Sequence, residues 1–204
     1  MEALEFIRRD HARTHASALG GAEGNLGFQD LLIGGLDDED MRQRPQEGMN
    51  SLAWLLWHMA RTEDMGVNIV VAGRKPVLEE QGWGERLGIE QRDIGAGMSD
   101  DEVSDFTRRV ELDSLRAYRM AVGARTKEVL NSMRPEELDD VVDPDRIEKA
   151  FADGAVDERA TWVRGAYEGK TKAFVISHQA IAHSFMHLGE AWAVRSLLGR
   201  RLPI

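Results

Sequence analysis

The chain contains no cysteine. That excludes disulfides, cysteine-ligated zinc, iron–sulfur clusters and a cysteine nucleophile, so any thiol chemistry must take its thiol from outside. It also lacks an apolar run of the roughly eighteen residues that a membrane-spanning helix needs. Its start, Met-Glu-Ala-Leu-Glu, is not a basic stretch feeding an apolar one, so no secretory signal is expected and the expected location is cytoplasmic. Positive charge is in short supply: 26 Lys and Arg stand against 36 Asp and Glu, for a net charge of −10. With no basic stripe to relieve it, that field repels phosphate backbones, and nucleic acid is not an expected partner. Tandem repeats, low-complexity segments, Gly-rich phosphate loops and nucleophile elbows are absent as well.

What is present fits a single helical domain over residues 1–204, since 42% hydrophobic content at this length suffices for a core. From Lys170 to Arg200 apolar residues recur at helical spacing (Phe174, Ile176, Ile181, Phe185, Leu188, Trp192, Leu197) without a proline, which predicts one long helix. On it His183 and His187 lie four residues apart, one turn along one face, close enough to share an ion. Spacing alone does not select this pair, because His11 and His15 have the same separation. Arg8, Arg9, Asp10 and Arg13 surround the earlier pair and predict a solvated face there. His178, five residues before His183, falls about 140° around an α-helix from it and is left out.

Met1 to Leu19 reads as a first helical segment, and Gly20, Gly21, Gly24 and Gly27 predict a break after it. Helix resumes over Phe28 to Leu36, and Asp37 to Pro45 is a connector. Asn50 or Ser51 caps a second amphipathic helix that runs to a Gly73 stop and carries His58 in its middle. Residues 74–98 read as a long loop, with Trp83 either the wall or lid of a pocket or an anchor for the loop. Ser99 with Glu102 forms a capping box for a third helix reaching Met133. A connector from Pro135 to Gly169 holds a short helix around Asp145 to Ala152, and Trp162, Arg164 and Tyr167 stand where they could line a site on the last helix.

The run Gly35-Leu36-Asp37-Asp38-Glu39-Asp40-Met41-Arg42-Gln43-Arg44-Pro45, then Asn50-Ser51-Leu52 and Trp57-His58-Met59, is followed late in the chain by His183-Ser-Phe-Met-His187-Leu-Gly189-Glu190 and closing Leu-Gly and Leu-Pro steps. In this order the motifs resemble the DinB/YfiT-like family over about residues 26–203. The resemblance implies an all-α fold, a four-helix bundle with long connecting loops, and a divalent metal held by His58, His183 and His187. The family contains thiol-dependent transferases and isomerases as well as members with no assigned activity.

Three imidazoles without a thiolate suit Zn, Ni, Fe or Co and leave positions for a small-molecule substrate or an external low-molecular-weight thiol. Glu190, three residues after His187, is the candidate catalytic residue: it can orient an imidazole, act as acid or base, or add a ligand. Arg195 either attracts an anion or forms a surface salt bridge. The expected function is a metal-dependent enzyme of the thiol-dependent transferase or isomerase type. The alternative is a metal-binding bundle without turnover, in a structural or stress-response role. Helical faces of moderate apolarity could pair in a two-fold homodimer.

Overall fold

The computed structural model describes residues 2–20 and 27–202, and no strand occurs among them. The principal helices are α1 (Ala3–Thr14), α2 (Leu52–Glu63), α3 (Asp100–Arg109), α4 (Leu112–Ser132), α5 (Lys172–Ile176) and α6 (His183–Leu197). A π-helical stretch, Asp64–Val71, continues α2, and another, Ser177–Ala182, joins α5 to α6. Two glycines of the expected break, Gly21 and Gly24, and the closing Pro203 lie outside the described residues. Among those residues no helix is long and apolar enough to cross a membrane.

The molecule is built around α2. Ser51 is its cap, accepting from the Trp54 amide, and every residue from Ser51 to Val71 is buried. An amphipathic helix would leave one face to water; this one is covered all round, by α4, α6 and the 74–98 segment. Its polar side chains therefore have to find partners in the interior. Asp64 accepts from the Val77 and Leu78 amides at 2.8 and 3.1 Å, from Asn68 at 2.8 Å and from the Tyr118 hydroxyl at 2.8 Å. Because those two amides are captured in the core, the first part of 74–98 is not an open loop. It forms two short helices, Val77–Glu80 and Trp83–Arg86, that bury Val77, Trp83 and Leu87.

The third expected helix is two helices. Its capping box forms at Ser99 and Glu102, but the chain turns extended at Val110 before α4 begins. The Arg42 guanidinium donates to the carbonyls of Thr107, Arg108 and Val110, so the end of α3 is satisfied without continuing as helix. Arg42 itself sits on a short helix, Asp38–Arg42, inside the expected connector. The short helix expected near Asp145 is present as Pro144–Ala152.

The two π stretches meet at Gly66, where a Cβ would lie 2.8 Å from Gln179 Cγ. A side chain at position 66 would collide with Gln179 unless the Gln179 side chain moved. The extra residue in such a turn changes which side chains share a face, and Ser177–Ala182 lies directly before His183.

Candidate metal centre

His58 on α2 and His183 and His187 on α6 lie together in the structure. Their Nε2 atoms converge: His183 lies 3.2 Å from His58 and 3.2 Å from His187. The opposite ring nitrogens decide what those Nε2 atoms offer. His58 Nδ1 faces the Ile94 carbonyl, which can only accept, and His187 Nδ1 lies 2.9 Å from Glu190 Oε2. Both imidazoles therefore carry their proton on Nδ1 and turn a lone pair inward from Nε2. His183 Nδ1 is buried without a partner. Two inward lone pairs with His183 Nε2 between them form the arrangement of ligand atoms that a divalent cation fills, and the residues fit that group.

The surroundings hold these rings in place. Trp54 stacks on His58 at 4.7 Å between centroids, and Arg61 grips the Arg92 carbonyl two residues before Ile94. The segment sequence reasoning missed is thus 92–98, at the far end of the expected loop; a carbonyl has no sequence signature, and only the paired glycines Gly95 and Gly97 hint at close packing there. Glu190, the candidate catalytic residue, lies within hydrogen-bond reach of the His187 ring. Its second oxygen accepts from Asn50 at 2.9 Å, and although burial works upward, the bonds to His187 and Asn50 hold its carboxyl below the usual range.

A cavity of about 560 Å³ opens onto all three rings. Trp162 lines it, as the sequence suggested, but Arg164 is paired with Glu148 and Tyr167 is fully buried in the core. Trp83 lies in the core against Tyr118, so it anchors its segment and forms no wall. His178 does line the cavity, because the π turn alters the angle an α-helix would impose, yet its nitrogens do not join the three-imidazole group. Arg195 is neither an anion lure nor a surface ion pair: it is buried and donates to the carbonyls of Leu32, Gly34 and Arg201.

The expectation for His11 and His15 is overturned. Both are buried, and their Nε2 atoms lie 2.8 and 2.9 Å from the two oxygens of Glu63 on α2. Arg119 of α4 reaches the same carboxylate at 2.6 Å and extends to Ser184 at 3.3 Å. The charges flanking the pair occupy the outer side of α1, and that local view concealed the inner one. This second group resembles a ligand set, but its protons run the other way. An ionised carboxylate only accepts, so His11 and His15 donate to Glu63 through Nε2–H and turn no lone pair inward. Burial works against the Glu63 charge, yet the two imidazoles and Arg119 hold its carboxyl well below the usual range.

Burial, with Arg119 adding to it, pushes His15 down to about 3. Burial and the neighbouring His187 push His58 down to about 4, and burial with His58 and His187 lowers His183 further. Unfolded imidazoles titrate near 6.5. As pH falls from about 6.5 towards 4 the unfolded chain therefore binds protons that the folded chain refuses, and stability must fall across that window. Denaturant titrations of metal-free protein should give a clearly lower midpoint at pH 5 than at pH 7; equal midpoints would contradict neutral buried imidazoles.

Residues 29–191 match the DinB superfamily. The chain belongs to the DinB superfamily. Among solved structures, a conserved protein from Enterococcus faecalis shares the fold, with a TM-score of 0.63 and 22% identity over 98% of this chain and 99% of that one. None of the curated proteins matches the chain. In this DinB-superfamily chain the matched region contains His58, His183 and His187, whereas α1 with His11 and His15 lies before it.

Proposed function

We propose that this DinB-superfamily protein is a metal-dependent enzyme in which His58, His183 and His187 hold one divalent ion, Zn, Ni, Fe or Co. The observation that carries the reading is the convergence of three Nε2 atoms at the wall of an open cavity. A centre of structural purpose is closed by its ligands, whereas one that faces a cavity leaves room for substrate. The bound ion would supply Lewis acidity towards a substrate oxygen or sulfur.

The chain's own residues do the rest. Ile94 and Glu190 keep the His58 and His187 rings oriented, and largely apolar walls face whatever enters the cavity. Both Glu190 oxygens already have partners, so its role is positioning. With no cysteine in the chain, a transferase or isomerase reaction of thiol type would use an external low-molecular-weight thiol. Metal-loaded protein incubated with a panel of such thiols and electrophiles should turn over at least one pair, with loss of turnover on chelation. Full metal occupancy with no turnover on any pair would instead support the non-catalytic metal-binding role.

A further inference from the structure

Helix α6 turns one side to the imidazole centre and the core and the other to water. Its exposed residues are Met186, Gly189, Trp192, Ala193, Ser196 and Leu197, and none of them is charged. On α3, by contrast, all five exposed residues, Asp100, Asp101, Glu102, Arg108 and Arg109, are charged. The two charged side chains of α6 are used inwards: Glu190 on His187 and Asn50, Arg195 on backbone carbonyls. Met186, Trp192 and Leu197 are 61%, 54% and 55% exposed, so three large apolar side chains share one outward face. Scattered singly such residues need no explanation; aligned on an uncharged face they mark a contact surface.

Gly189 stands in the middle of that face. Glycine is disfavoured inside a helix, and nothing in the described fold requires it here: its backbone is helical, and a Cβ would meet no atom within 4 Å. On an open helix face a glycine lets another backbone come close. At about 100° and 1.5 Å per residue, Ala182, Phe185, Met186, Trp192, Ala193 and Leu197 all project within about 80° of Gly189. Large and small side chains are arranged about it so that the face fits itself. With a second α6 lying antiparallel across a two-fold axis at Gly189, Met186 covers Ala193 of the partner subunit, Leu197 covers the partner's Ala182, and Trp192 meets the partner's Phe185.

Charge selects the occupant. A chain of net charge −10 repels its own copy wherever acidic surfaces meet, and near a two-fold axis each residue lies close to its own twin. The uncharged face of α6 avoids that penalty.

We propose that the outer face of α6 is a self-association surface, on which a second copy of this chain packs as an antiparallel helix pair crossing at Gly189. One helix pair is at the small end of protein interfaces, so the expected dissociation constant is micromolar. The pairing does not depend on metal in the three-imidazole centre. Met186 also lines the cavity, so a second copy would cover part of its mouth.

Sedimentation equilibrium of the full chain over about 1–200 µM should show monomer and dimer in exchange. Ala193→Glu, which sets a carboxylate from each copy into the contact, should raise the dissociation constant at least about tenfold. Val141→Glu should change it less than about twofold, since Val141 is 60% exposed but pairs with Thr171 before α5, away from this face. Circular dichroism and thermal melts establish that each variant is folded. Because the chain has no cysteine, Gly189→Cys introduces its only thiol, which on oxidation should link two copies; Val141→Cys should stay largely unlinked. A wild type that stays monomeric throughout, leaving the face to a different macromolecule, would overturn the proposal. So would a dimer that Ala193→Glu leaves as tight as the wild type, or one in which Gly189→Cys links no faster than Val141→Cys, since either places the contact on another surface.

Discussion

Replacing His183 and His187 together by Ala should reduce bound divalent metal from about one ion per chain to nearly none. Three geometric facts set this expectation. The Nε2 atoms converge within 3.2 Å of His183, the Ile94 and Glu190 acceptors fix the His58 and His187 protons on the far nitrogens, and burial disfavours protonation of His58 and His183. Two substitutions remove two of three donors, and the remaining imidazole cannot hold the ion alone. Because metal binds the folded chain preferentially, metal at about a thousand times its dissociation constant should stabilise the wild type by about 4 kcal/mol, and this increment should vanish in the double variant. Elemental analysis and metal-dependent melting measure both quantities. Full occupancy after the double substitution would place the site elsewhere. A stoichiometry of two ions per chain would mean that the Glu63 group also binds metal, contrary to the direction of its protons.

The parts of this arrangement legible in the sequence are those whose signals are local. The His183–His187 pair, the Ser99–Glu102 capping box and the Gly73 stop each depend on residues within a few positions of one another, and all three occur as expected. Joining His58 to the pair required the order of motifs along the chain, since nothing in the neighbourhood of His58 distinguishes a ligand from a core histidine. What stayed hidden is tertiary. His11 and His15 meet a carboxylate about fifty positions away, and flanking arginines made their helix face look solvated. The π stretches leave no clear mark in apolar periodicity, so the angle assigned to His178 assumed an α-helix throughout. The helix carrying His58 was expected to be amphipathic, yet α2 is buried on every side, with Arg61 and Glu63 paired inside the protein.

Glu63→Ala should cost about 3–5 kcal/mol of folding stability, a larger loss than most substitutions in this chain. Glu63 is fully buried and receives three donors, from His11, His15 and Arg119, so truncation removes the only carboxylate bonded to the Arg119 guanidinium among the described residues. Arg119 has 0% exposure and would keep only its longer contacts to Gln29 and Ser184, at 3.4 and 3.3 Å, which cannot balance a buried charge. Burial lowers the Arg119 pKa, and the Glu63 carboxylate acts against that lowering. The damage should spread beyond one helix, because this network ties α1, α2 and α4 to Ser184 on α6. Removing both charges as Glu63→Leu with Arg119→Met should recover much of the loss, since the penalty lies in the unpaired ion more than in the missing pair. Denaturant unfolding of the single and double variants measures this directly. A loss below about 1 kcal/mol for Glu63→Ala, the range of an exposed ion pair, would show that the carboxylate is solvated and that the buried network does not hold α1 to the core.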